Sequence, residues 1–303
     1  MTRIASLAQF DRTLSHISDT QQLWSKLQMQ IASGRTSEDY AGLGRNAERL
    51  VSLQATHSRV SQYTDNNKMV DTRLQTMETS IGQVYETLGR YKTLLINALN
   101  ADNGASLALP QQSQQMLNEV ASLLNAKDGN RYLFAGSRTN TLPVDLAGLP
   151  VAYVVPTATG ASIGYYKGDS VALSVQADDN LQVTYGVTAG DAAIEAGIRA
   201  LHLGVTQGPT DRVALNHALD VLNVALDTLP DVRTRIGAAR TALENTNKVH
   251  DDYLQYVAQN VSDIENVDVT DAVSRMNNAQ LSLNASYLTV SKLSQLSLLN
   301  FLQ

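Results

Sequence analysis

Residues Leu53–Leu99 read LQATHSR VSQYTDN NKMVDTR LQTMETS IGQVYET LGRYKTL LINAL, and every block but one opens on an aliphatic residue. Leu53, Val60, Asn67, Leu74, Ile81, Leu88 and Leu95 form one line at steps of seven, and Tyr63, Val70, Met77, Val84, Tyr91 and Ala98 form its companion. Apolar residues at this double spacing are the seam of a coiled coil. Asn67 alone interrupts the first line, and a buried Asn in such a seam commonly fixes register. An unbroken helix over Asn46–Leu99 would run roughly 80 Å at ~1.5 Å per residue. A compact domain of ~100 residues has a radius of gyration near ~13 Å, so the spacing predicts a rod.

Two further stretches repeat the pattern. Phe10, Ile17, Trp24 and Ile31 stand seven apart, with Leu7 and Leu14 three positions ahead of Phe10 and Ile17. Near the other end, Val232, Ile236, Ala239, Leu243, Thr246, His250, Tyr253, Val257, Asn260, Ile264 and Val267 alternate steps of four and three. An interruption is expected at Asn266–Asp268, after which Val269, Val273, Met276, Leu283, Tyr287 and Val290 continue the spacing.

The middle of the chain has a different texture. Pro110 predicts the start of a helix carrying Met116, Val120, Leu123 and Leu124, ending near Asp128-Gly129. From Arg131 to Val187 the residues turn to Gly, Pro, Thr, Val and Tyr. Short apolar runs at 152–155, 162–166, 171–175 and 181–185 read as strands joined by turns. Helical spacing returns after Asp191, with Pro209 and Pro230 each expected to open a helix. The sequence therefore predicts a mainly α fold. Its N- and C-terminal arms form a long antiparallel helical coiled-coil rod with a small β-rich insertion. The expected division is a terminal assembly region at 1–45 and 265–303, a helical rod at 46–130 and 191–264, and the insertion at 131–190.

Composition narrows the function. The 303 residues contain no cysteine, which removes disulfides, thiolate metal sites and thiol nucleophiles. A formal charge of -6 with no basic run argues against nucleic acid, and no stretch approaches the ~20 apolar residues that span a bilayer. Residues 1–17 lack the apolar core of a secretory signal, so export, if it occurs, is expected by another route. Aromatic residues make up only 5%, too little ring area for an ordinary large enzyme core.

The tips carry the strongest signal for association. Val273–Gln303 holds eight leucines and only Arg275 and Lys292 as charges. A helix pair hides one stripe of each helix, so further cover must come from other subunits. The expected assembly interface is Leu7, Phe10, Leu14, Ile17, Trp24 and Ile31 at one end, with Met276, Leu283, Tyr287, Val290, Leu296 and Phe301 at the other.

Several motifs then suggest a family. Ile31-Ala-Ser-Gly-Arg35, Glu38-Asp-Tyr-Ala-Gly-Leu43 and Asn46-Ala-Glu-Arg-Leu50 resemble the N-terminal signature of bacterial flagellins. Arg131-Tyr-Leu-Phe-Ala-Gly136, Tyr166-Lys-Gly-Asp169, Asp268–Met276 and Leu296–Leu302 resemble the hook-associated members that join hook to filament more than filament flagellin itself. That resemblance implies a structural subunit of the bacterial flagellum, exported unfolded through the flagellar type III apparatus without a cleaved signal and located outside the cell. It implies a homo-oligomeric ring or filament, with the first hook-associated protein, flagellin and an export chaperone as partners and no cofactor. Filament flagellin and an intracellular coiled-coil scaffold are the alternatives.

The sharper chemical motifs weigh less. Gly160-Ala-Ser-Ile-Gly164 fits a nucleophile elbow, with Asp191 and His202 following in hydrolase order, but strand and turn residues follow the Ser where a helix is required. Gly42-Leu-Gly44 has no strand before it, as a dinucleotide site would need. The five histidines show no metal-ligand spacing, and His250 reads as a packing residue of the third seam.

Overall fold

The computed structural model describes residues 2–100, 108–150, 164–207 and 211–299, with side chains described from residue 10 to residue 292 within those ranges. Among these residues the elements run α1 (Thr2–Ser33), α2 (Asn46–Asn100), α3 (Leu109–Leu124), β1 (Lys127–Asp128), β2 (Arg131–Tyr132), β3 (Leu173–Asp178), β4 (Leu181–Tyr185), α4 (Ala192–Thr206), α5 (Arg212–Glu265) and α6 (Val269–Leu299). The fold is mainly α with a small β-rich insertion. No helix among the described residues is long and apolar enough to cross a membrane. The chain divides into two compact units, residues 1–59 with 253–303, and residues 60–252.

In the second unit the sequence's long seam becomes the core. Val60, Asn67, Leu74, Ile81, Leu88 and Leu95 are buried, as are Val70, Met77, Val84, Tyr91 and Ala98. α5 answers with Leu215, Leu222, Leu229, Ile236, Leu243 and His250, all buried and all seven apart. The two helices run antiparallel: Arg240 pairs with Asp71 and Glu78, Asn247 meets Asn67, and His250 approaches Thr64. Pro230 does not open a helix; it lies inside α5. Its ring removes one backbone hydrogen bond. Burial of Leu229, Val232 and Ile236 on either side of it, at ~1.5 to 3 kcal/mol each, holds the helix through that defect.

The shorter helices complete this core. Pro110 sits in the first turn of α3 as expected, although α3 stops at Leu124, ahead of Asp128-Gly129. Asp191 caps α4 by accepting from the backbone N–H of Ala193 at 3.1 Å. α4 packs on α3, and Tyr91 of α2 donates its hydroxyl to the Ala200 carbonyl at 3.0 Å. Burial pushes the Tyr91 hydroxyl well above its ordinary range, so it stays a neutral donor.

The β-rich stretch shares this core instead of standing apart: Leu133, Phe134, Val144, Tyr165, Val183 and Tyr185 belong to the same buried cluster as the seam of α2. β4 matches the expected strand at 181–185, and β3 begins two residues later than expected. The expected run at 152–155 lies outside the described residues, as do Pro209 and most of Gly160–Gly164. The two short motifs at 131–136 and 166–169 meet in space. Asp169 accepts from the Ser137 backbone N–H at 2.8 Å, the Ser137 hydroxyl at 2.5 Å and the Val171 N–H at 3.1 Å. Tyr166 donates to the Asp169 carbonyl at 2.6 Å, and Asp169 N–H donates to the Ala135 carbonyl at 3.2 Å.

The Ser137 hydroxyl foremost, then its N–H, holds the Asp169 carboxyl below the usual carboxylate range. A depressed carboxyl stabilises the fold above its unfolded value near ~3.9, and that contribution fades as pH falls through the lower folded value. The protection of the Ser137 and Val171 amides, taken as exchange relative to the unstructured chain at each pH, should therefore be constant from about pH 8 to 5 and fall below about pH 4. Asp169→Ala, which removes the accepting oxygen, should lack that protection at both amides throughout.

In the first unit, α1 and α5 end at the same level. The Val267 N–H donates to the Gly34 carbonyl at 3.0 Å and the Thr36 N–H to the Glu265 carbonyl at 2.7 Å. Arg35 and Asn266 thus form an antiparallel bridge across the expected interruption at 266–268. Asp268 then caps α6 by accepting from Thr270 N–H at 2.9 Å and Asp271 N–H at 3.1 Å.

Candidate assembly surface

α1 and α6 pack against each other in antiparallel fashion, with Gln21 donating to the Tyr287 hydroxyl at 2.6 Å. The inner line of α1 is Phe10, Thr13, Ile17, Thr20, Trp24, Leu27 and Ile31, all buried or half-buried. Steps of three and four alternate without a break. The inner line of α6 is Ala272, Met276, Ala279, Leu283, Ser286 and Val290, with the same alternation. The expected line Phe10, Ile17, Trp24 and Ile31 thus faces α6 of its own chain, as do Met276, Leu283 and Val290.

Two expected residues lie elsewhere. Leu14 is 44% exposed, and Tyr287 is 47% exposed despite its bond to Gln21. A heptad line has possible companions on either flank, and pattern alone does not choose between them. On α1 the flank with Thr13, Thr20 and Leu27 turns inward, which leaves Leu14 outside. On α6 the small residues Ala272 and Ala279 occupy the inner line, so Val269, Val273 and Tyr287 turn out to solvent. Reading by size selected the outer residues; close approach of two helices selects the small ones. The side chains of Leu7 and Leu296, and the whole of Phe301, lie outside the described residues.

The result is a second apolar stripe that α1 does not cover. On a helix of ~3.6 residues per turn, the inner residues of α6 occupy an arc of about 80°. Val269, Val273, Leu281, Tyr287 and Leu288 fill the next 120° or so, with Gln280, Asn277 and Asn284 among them. Leu281 is 70% exposed and Leu288 65%, and no charged residue lies between Arg275 and Lys292. α1 adds Leu14, Leu23 and Met29, all exposed. Sequence reasoning missed Leu281 and Leu288 individually, although their spacing of seven inside an uncharged stretch marks them. Contiguous exposed apolar surface of this kind marks interaction sites.

The motifs with possible chemistry sit in structural roles. The Asp191 carboxylate caps α4 and pairs with Arg235. His202 is buried in α4, and its ring is pushed below its ordinary range mainly by that burial. Gly164 leads into buried Tyr165 and then Tyr166, which bridges to Val144, where an elbow would need a helix. Among the described residues no group of acidic and histidine side chains is placed to hold a metal ion.

Residues 4–139 match the bacterial flagellin N-terminal helical region and residues 219–302 the bacterial flagellin C-terminal helical region, together well over half of the chain. A flagellar hook-associated protein 3 from Escherichia coli strain K12 is 24% identical over 313 aligned residues, which cover 98% of each chain. The flagellar hook-associated protein 3 of Salmonella typhimurium is 23% identical, again with 98% of each chain covered. Among solved structures, FlgL from Bacillus cereus matches the fold with a TM-score of 0.57 at 20% identity, covering 70% of this chain and 99% of that one. With both terminal helical regions matched and α1 paired to α6 in the structure, this chain belongs to the bacterial flagellin family.

Proposed function

We propose that this chain is a structural subunit of the bacterial flagellum that joins the hook to the filament. The observation that carries this reading is the end-to-end alignment with two proteins named flagellar hook-associated protein 3, in which neither partner has a large unmatched region. The assembly region comprises residues 1–45 and 265–303, and its working parts are apolar surfaces. Copies associate through the outer stripes of α1 and α6, closing a ring whose two sides meet the first hook-associated protein and flagellin. The subunit reaches that place by the flagellar export route with the help of a chaperone, and it makes and breaks no covalent bonds there.

Deleting the gene tests this directly. Hooks without filaments, with flagellin released into the medium, are the expected phenotype. Filaments of normal length and attachment in the deleted cells would overturn the junction reading. Growth of long filaments from the purified chain alone would instead favour a filament flagellin.

A further inference from the structure

The seam between α2 and α5 is apolar over most of its length, with His250 beside Thr64 at one polar level and Asn67 beside Asn247 at another. Asn67 is 0% exposed, and its amide nitrogen donates to the Asn247 side-chain oxygen at 3.0 Å and to the Ala177 carbonyl of β3 at 3.1 Å. Its own side-chain oxygen is buried without a hydrogen-bond partner. A leucine at this position would remove that orphan and fill the seam at the cost of the Ala177 bond, so stability alone is a weak reason for an Asn here.

Register does account for it. The buried lines of α2 and α5 both repeat every seven residues, so sliding one helix by seven would again set aliphatic against aliphatic. Such a slide displaces α5 by about 10 Å along α2. The apolar seam discriminates weakly against it, and the Arg240 bridges to Asp71 and Glu78 are part-exposed, where ion pairs contribute little. In the shifted register Asn67 would stand at the level of Arg240 and half-buried Asn247 at the level of Val60, leaving the fully buried Asn67 amide without its Asn247 partner in a dry seam.

We infer that the Asn67–Asn247 pair is a register lock, a positioning device that selects one of several near-equivalent pairings of α2 with α5 when the chain folds. The Ala177 bond keys the β3–β4 hairpin to the same level. The other α5 contacts within residues 60–252 depend on that choice, including the Arg240 bridges to Asp71 and Glu78.

The chain has no cysteine, so introduced pairs report register cleanly. One pair, Asp71→Cys with Arg240→Cys, reads the native register, and Asp71→Cys with Arg233→Cys reads the register shifted by seven. Each full-length variant is refolded from denaturant as a monomer and treated with a short thiol cross-linker. With Asn67 and Asn247 present, the native pair should link and the shifted pair should not. In an Asn67→Leu, Asn247→Leu background, the midpoint of unfolding should be unchanged or raised while linking of the shifted pair rises at least tenfold. Exclusive linking of the native pair in the leucine background would overturn the lock. So would failure of the leucine background to fold, which would mark the pair as ordinary structural polarity. The measurement is made on the monomer, so its outcome is separate from that of the junction reading.

Discussion

A chain carrying Leu281→Asp together with Leu288→Asp should fold as a monomer and fail to enter the flagellum. Both side chains are largely exposed, at 70% and 65%, so the single chain gains little from them. Surface substitutions of this kind shift monomer stability by only about 0.5 kcal/mol each. In an assembled subunit the same positions would be covered, and losing two buried leucines forfeits ~1.5 to 3 kcal/mol apiece. Two carboxylates forced into that contact add a desolvation cost, so incorporation should drop by at least ~10³-fold. Complementing a deletion strain with the double variant should leave bare hooks, while the purified variant melts like the parent. Leu27→Ala should give the contrasting result. Leu27 is 2% exposed on the inner line, so its loss should destabilise the α1–α6 pair by about 2 to 4 kcal/mol. Normal filaments on cells carrying the double aspartate variant would mean that the outer stripe is idle surface.

Gly136→Ala should be strongly destabilising for the addition of a single methyl group. Gly136 has φ +69°, and a Cβ there would lie 2.3 Å from Asp169 Oδ1 and 2.4 Å from the Asp169 carbonyl oxygen. The left-handed conformation costs an alanine about 1 kcal/mol, and the overlap with fixed backbone adds about 2 more. The loop cannot simply yield, because Asp169 is held by Ser137, Val171 and Ala135 together. Gly129→Ala separates the two effects: Gly129 has φ +56° with nothing within 4 Å of a built Cβ, so it should lose only the conformational part. Denaturant midpoints of the two variants should differ by the equivalent of about 2 kcal/mol. Equal losses would mean that 131–136 and 166–169 do not close on each other as described.

Much of the helical frame is legible before any coordinates. α2 begins at Asn46 and the break at 266–268 falls where the spacing puts it, because heptads over dozens of residues leave few alternatives. Pro230 shows the limit of local signals. Its helix-opening preference is real, but the line Leu215, Leu222, Leu229, Ile236 runs through it, and tertiary burial outweighs a single lost hydrogen bond. The β-rich stretch was legible as texture and not as partnership. Nothing in Arg131–Gly136 announces that its mate is Tyr166–Asp169 some thirty residues on, since that pairing is made by one carboxylate, the Ser137 hydroxyl and three backbone groups. The candidate surface was half legible for a related reason. Heptad spacing finds the stripe that two helices share, whereas the face left for other molecules is defined by what the first pairing leaves over. Ala272 and Ala279 decide that remainder, and small residues carry the weakest periodic signal.

Removing residues 1–30, or the last thirty, and returning the chain to a deletion strain is the most direct measurement. If the paired tips supply the surface by which copies join, neither truncated chain should be found in sheared hook–filament preparations, although residues 60–252 keep their own core and should still melt cooperatively. Recovery of either truncated chain in those preparations at the level of the full-length protein would contradict the account.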